Sequence, residues 1–155
     1  MKITIVAVDL RSPGWAAEAV SDYLGRFPRD WKVELKTVKE EPRRGHPKEK
    51  LMAAEAERIR KSIPKGSLLV TLDEHGRDLT TVEFARQLSA WERGGDSVTF
   101  VIGGTDGIDP DLKRESRMMI RLSSMTLPHA LARVMLSEQI YRAWSVLNGH
   151  PYHRA

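Results

Sequence analysis

The stretch Ser97-Val98-Thr99-Phe100-Val101-Ile102-Gly103-Gly104-Thr105-Asp106-Gly107 joins a nearly continuous apolar run to an abrupt glycine-rich stop. An apolar run of this length suits a strand covered on both faces, as in a parallel sheet flanked by helices. Ser67-Leu68-Leu69-Val70-Thr71-Leu72 has the same character, and Lys2 to Asp9 is rich in Ile and Val. Trp31 to Val38 alternates polar and apolar side chains, as a half-buried strand does. A fifth strand is expected near Met119 to Leu122.

Helical patterns separate these strands. Trp15, Ala19, Val20, Tyr23 and Leu24 recur at helical spacing after Ser12-Pro13-Gly14, and Leu51 to Ile63 forms a second helix beyond a charged, loop-like stretch from Lys39 to Lys50. Thr80 and Glu83 have capping-box spacing and start a third helix that runs to Trp91. Asp109-Pro110 opens a short helix, and a long one spans Pro128 to Leu147 before Asn148-Gly149. Strands alternating with helices predict an α/β fold, a mainly parallel sheet with helices on both faces, as one domain over residues 1–155. Ligands of such sheets bind beyond the carboxyl ends of the strands, where Leu72, Gly103 and Leu122 stand.

The composition narrows the chemistry. The 155 residues contain no cysteine, which removes disulfides, thiolate metal sites and cysteine nucleophiles. A formal charge of +4 mildly favours a polyanionic partner. No apolar run approaches the ~18 residues of a membrane helix, and a cytoplasmic location is expected.

Three segments are candidates for function. Gly103 to Gly107 lets a backbone approach a ligand closely, although its spacing is not the dinucleotide fingerprint and, taken alone, a plain glycine-rich turn is the default reading. Leu122-Ser123-Ser124-Met125-Thr126-Leu127-Pro128-His129 offers main-chain donors to an adenine edge or a carboxylate. The same loop reads as a helix start in which Thr126 caps and Pro128 fills the first turn, and the two readings are compatible. His150-Pro151-Tyr152-His153-Arg154 gathers two imidazoles, a phenol and a guanidinium, too few ligands for a metal, so no metal is expected. Arg43, Arg44, His46 and Lys48 form a solvated loop or a phosphate-contacting patch. On the last helix, one apolar stripe carries Leu131, Val134, Met135 and Tyr141, and another Leu136, Ile140, Ala143, Trp144 and Leu147. Two stripes need two covers, the sheet and a twofold partner, because Arg133, Glu138 and Arg142 argue against a wholly internal helix.

Taken together, Arg26-Phe27-Pro28, Leu72-Asp73, Ile102-Gly103-Gly104 with Asp106-Gly107, Leu122-Ser123 with Met125 to His129, Glu138-Gln139 with Tyr141-Arg142-Ala143, and Pro151 to Arg154 resemble the SPOUT superfamily of knotted RNA methyltransferases. Within it, the sequence resembles the small family that methylates N3 of a pseudouridine in the 23S RNA of the large ribosomal subunit. The resemblance covers the whole chain and implies a C-terminal trefoil knot that general topology rules would not suggest. It implies S-adenosylmethionine as methyl donor, held by Leu72, Gly103, Leu122, Ser123, Ser124, Met125, Thr126 and Leu127. It also implies a homodimer in which Tyr152, His153 and Arg154 complete the partner's active site, with Arg142 as a further catalytic candidate. Asp9 departs from the glycine expected there. Methyl transfer to an imide nitrogen requires deprotonation and alignment but neither metal nor thiol, which suits a chain without cysteine. On this reading His153 or a partner-ordered carboxylate assists proton removal, while Arg142 and Arg154 hold phosphate or the developing anion. The competing expectation is an RNA-binding ribosome-assembly module without catalysis.

Overall fold

The computed structural model describes residues 1–154, so the last residue of the expected 1–155 unit lies outside them. The elements follow as β1 (Lys2–Asp9), α1 (Gly14–Leu24), β2 (Lys32–Lys39), α2 (Lys48–Ser62), β3 (Leu68–Asp78), α3 (Thr81–Arg93), β4 (Val98–Ile102), α4 (Pro110–Glu115), β5 (Met118–Arg121) and α5 (His129–Leu147). All strand pairings are parallel, in the order β2-β1-β4-β3-β5, so the apolar run before Gly103 forms the central strand.

Two cores sandwich this sheet because side chains alternate along each strand. Ile3, Ile5 and Ala7 of β1 join Phe100 and Ile102 of β4 on one face, under Phe84, Leu88 and Trp91 of α3 and Leu136, Ile140 and Ala143 of α5. Val6 and Val8 join Val101 on the other face, beneath Ala56 and Ile59 of α2 and Leu112 of α4. The expected capping box is present: Thr80 Oγ1 accepts from the Glu83 amide at 3.1 Å, and Glu83 Oε1 accepts from the Thr80 amide at 3.0 Å.

Three departures have local causes. β3 runs on through residues 73–78, none of them large and apolar, and after a register shift between Leu72 and Arg77 it pairs with β5 again at Arg77 and Asp78. This outer extension is largely exposed, so hydrophobicity gives no sign of it. Gly76 permits it, since a Cβ there would lie 2.5 Å from the Ile120 carbonyl carbon. α2 starts at Lys48 rather than Leu51, so its first turn is polar. Arg133 is buried rather than exposed, and its guanidinium donates to the Val8 carbonyl at 2.9 Å. The charge of Arg133 is therefore no argument against an internal α5, and Tyr141, of the stripe with Leu131, Val134 and Met135, is covered within the chain by Tyr23 and Phe27.

Substituting Gly76→Ala forces β3 and β5 apart at the contact with Ile120. A loss of about 1–3 kcal/mol is expected in urea unfolding, the usual cost of overpacking. An unchanged midpoint would show that the extension yields without cost.

Candidate active site

The irregular middle of β3, at its register shift after Leu72, and the carboxyl ends of β4 and β5 open into one cleft of about 620 Å³, within the range of small-molecule sites. Leu72 thus stands inside β3 and not at its end as expected. Leu72, Asp73 and Glu74 within β3 form one wall and Gly103 to Ile108 leave β4 on another; Leu122, Ser123 and Met125 to Leu127 leave β5, and His129 and Ala132 of α5 close the side. Seven of the eight residues expected to bind cofactor thus line a single cavity. Ser124, the eighth, is exposed and is not among the lining residues.

Close backbone packing shapes the central wall. A Cβ on Gly103 would stand 2.7 Å from the Gly107 carbonyl carbon and 2.8 Å from Ile108 Cγ1. Gly107, at φ +89°, turns the chain back and donates to the Gly104 carbonyl at 3.0 Å. In the β5 loop Ser123 Oγ accepts from the Met125 amide at 2.9 Å, a local turn that leaves Met125 78% exposed. Thr126 does not cap α5 as the alternative reading expected. Pro128 takes the cap position in an extended conformation, without a side-chain cap, and the helix begins one residue later than the Pro128 start expected.

Cations in the cleft walls are already matched by carboxylates. Lys113 Nζ lies 2.6 Å from Asp73 Oδ2, and Arg121 Nε donates to Asp78 at 2.7 Å. Burial opposes ionisation of Asp73, but hydrogen bonds from Lys113 and from the His75 amide outweigh it and hold its pKa below the usual carboxylate range. Arg43 pairs with Asp106 at 2.8 Å. His129 is pushed down to about 4 by burial and by the nearby Arg133 charge, which outweigh the opposing influence of the Gly103 backbone and Asp9. Both of its ring nitrogens are buried without a partner in hydrogen-bond geometry. At neutral pH this side of the cleft carries an uncharged imidazole.

The four expected catalytic residues lie elsewhere in the protomer. The Tyr152 hydroxyl donates to Glu138 Oε1 at 2.9 Å and sits 3.2 Å from the Tyr23 hydroxyl. Burial and these two neighbours raise its pKa well above the ordinary tyrosine value, so it remains a donor. Arg142 lies over the Tyr152 ring, with its guanidinium carbon 4.8 Å from the centroid, and donates to Glu138 at 2.7 Å and to the His153 carbonyl at 2.9 Å. His153 Nδ1 lies 2.9 Å from the His150 carbonyl. A carbonyl can only accept, so in the neutral ring this contact favours the tautomer with the proton on Nδ1 and Nε2 as acceptor. Arg154 is exposed, with φ +44°. From His129 to Arg142 the helix advances roughly 20 Å at ~1.5 Å per residue. The tail therefore docks far along α5 from its own cleft. Sequence spacing alone missed the anchors Glu138 and Tyr23, although Glu138 and Arg142 stand at the helical i,i+4 separation that signals a pair.

A parallel sheet with looped strand ends around an apolar-walled cleft defines an α/β ligand-binding protein, and comparison with known proteins specifies which. A family model described as "Predicted SPOUT methyltransferase" matches residues 1–153, and the chain belongs to that family. It is 56% identical over 154 residues to the ribosomal RNA large subunit methyltransferase H of Acidovorax sp. (strain JS42), covering 99% of each chain. It is 50% identical over 156 residues to the protein of the same name from Burkholderia cenocepacia (strain HI2424), covering all of both. Among solved structures, a probable methylase family protein from Haemophilus influenzae Rd KW20 matches with a TM-score of 0.59 at 18% identity, over 95% of this chain and 68% of that one. TrmJ from Z. mobilis ZM4 matches with a TM-score of 0.53 at 16% identity, over 92% and 69%. These two likenesses concern the fold alone.

The lowered pKa of His129 has a signed consequence. Between about pH 6.5 and about 4 the unfolded chain takes up a proton on this ring that the folded chain does not. Stability is therefore retained above pH 6.5 and lost as the pH falls through that window. Glu55, whose carboxyl is raised chiefly by burial, acts in the opposite direction, and it cancels when two variants sharing it are compared. Thermal unfolding of wild type and His129→Asn is expected to diverge on acidification from pH 6.5, with wild type losing more. Parallel curves would mean that the imidazole titrates normally.

Proposed function

We propose that the chain transfers a methyl group from S-adenosylmethionine to N3 of a pseudouridine in the 23S RNA of the large ribosomal subunit. The observation that carries this reading is the meeting of the Leu72, Gly103 and Leu122–Leu127 loops in one cleft, in a chain of the SPOUT methyltransferase family. The cleft fits the donor in shape and charge. Leu72, Ile102, Leu122 and Leu127 offer apolar walls for an adenine, and the bare backbone at Gly103 admits close main-chain contact. The neutral His129 and the paired Lys113 and Arg121 leave room for a positively charged sulfonium among Asp73, Glu74 and Asp106. When bound, the donor supplies an electrophilic methyl group. Ser124, outside the cavity lining, would contribute through its backbone.

The chain's own residues would align the base and remove its proton. His153 Nε2, left as acceptor by the Nδ1 contact to His150, suits that proton. Arg154 would meet the developing anion or a phosphate, while Arg142 and Tyr152 fix the tail through Glu138. Because the tail docks remote from its own cleft, this assignment requires a second copy of the chain, and a homodimer belongs to the proposal. Exposed Trp15 and Leu131, in the first turns of α1 and α5, and Met125, in the loop after β5, support such an interface. So does the family resemblance, which also supports a trefoil knot where the loop after β5 leads into α5. The proposal treats residues 1–155 as one catalytic domain acting in the cytoplasm, where ribosomal subunits are met.

Calorimetric titration should show S-adenosylmethionine binding to wild type and a loss of at least tenfold in affinity for Gly103→Ala. Labelled donor incubated with large subunits lacking the modification should mark one nucleotide, mapped by mass spectrometry. His153→Ala and Arg154→Ala should reduce turnover by about 100-fold, the lower end of a general acid–base contribution, with donor affinity intact. Donor binding without any transfer to RNA would favour the non-catalytic assembly module; full turnover in both tail variants would remove the tail from the mechanism.

A further inference from the structure

The loop between β2 and α2, residues 40–47, is fastened to the cleft wall formed by the β4 loop. Thr105 Oγ1 donates to Glu40 Oε2 at 3.2 Å, and Arg43 reaches Asp106 at 2.8 Å. Thr105 and Asp106 both line the cleft, so these contacts fix the loop at its rim. The acidic side chains of the segment are largely used internally. Glu40 accepts from Thr105, Glu41 pairs with Arg58, and Glu55 accepts from the Glu41 amide at 3.0 Å. Arg44, Lys48 and Lys50 are all exposed, and among the described residues no carboxylate lies within salt-bridge distance of any of them.

All three cations are placed against one or another local preference. Lys48 and Lys50 occupy the first turn of α2, where the helix dipole favours anions, and only Glu49 there is acidic. Arg44 has φ +21° and precedes Gly45 at φ +74°, a conformation that side-chain-bearing residues rarely adopt. A rule broken twice within seven residues, at the edge of a ligand cleft, is a mark of function rather than of folding.

We infer that Arg44, Lys48 and Lys50 form a phosphate-gripping rim, which seats the backbone of the substrate RNA beside the cleft so that the target base enters it. This rests on the proposed RNA substrate and adds the surface that holds it. As phosphate contacts these cations contribute affinity and salt dependence rather than sequence choice.

The test compares wild type, the triple variant Arg44→Ala/Lys48→Ala/Lys50→Ala and the charge-conserving Arg44→Lys/Lys48→Arg/Lys50→Arg, all as the full chain. Binding to large ribosomal subunits lacking the modification is measured from low to moderate salt, alongside S-adenosylmethionine affinity and thermal midpoint. The alanine variant should lose affinity at least tenfold, and its slope of log affinity against log salt should shrink by about 2–3, the value for three phosphate contacts. Donor affinity should be unchanged and the midpoint no lower, since the two lysines oppose the helix dipole, and the charge-conserving variant should behave as wild type. An unaltered slope and affinity in the alanine variant would overturn the inference while methyl transfer by wild type leaves the proposed function standing. A charge-conserving variant as impaired as the alanine one would assign the effect to loop structure and also overturn it. Wild type that neither binds nor methylates the subunits would bring down both.

Discussion

The central strand β4 is buried on both faces, and this constraint organises the rest of the molecule. A strand covered above and below must leave the sheet at its end, and here the exit is a backbone folded so tightly on itself that Gly103 touches Gly107 and Ile108 with no space for a side chain. β3 loses its pairing with β4 at that level and shifts register after Leu72, and β5 ends at Arg121, so the β3 irregularity and the β5 loop converge on that turn. The cleft is a result of sheet topology before any particular side chain is considered.

Charge is distributed in the same economical way. Around the cleft, cations are bound to carboxylates, and the one imidazole is kept neutral by burial and a buried guanidinium. The Arg133 guanidinium also ties α5 to the end of β1 through the Val8 carbonyl. At the far end of the same helix, Glu138 and Arg142 hold the tail against an aromatic cluster of Tyr23, Tyr141 and Tyr152. One helix therefore connects the two groups of residues assigned to donor and to substrate, and keeps them apart within a protomer.

Much of this was legible in the sequence because it rests on periodicity and local chemistry. The buried strands, the Thr80–Glu83 box and the convergence of Leu72, Gly103 and the Leu122 loop all follow from patterns a few residues long. What could not be read depends on contacts made between distant segments. Residues 73–78 lack any apolar pattern, and the strand is extended through them by the pairing of Arg77 and Asp78 with β5. Arg133 reads as a surface residue until the Val8 carbonyl is supplied, and Thr126 reads as a cap until Pro128 takes that place. The docking of Tyr152 on Glu138 and Tyr23 is a tertiary fact of the same kind.

The contact beneath Gly104 binds three parts of the chain into a single mutational unit. A Cβ at that position would meet Glu55 Oε1 at 2.9 Å and Val8 Cγ1 at 3.2 Å, while the other oxygen of Glu55 satisfies the Glu41 amide. Any residue larger than glycine must displace a carboxylate that already resists burial, and the displaced carboxylate would strand a backbone donor in the loop above. Drift at one of these positions is thereby conditional on the other two, and substitutions tolerated in a homologous background need not transfer here singly.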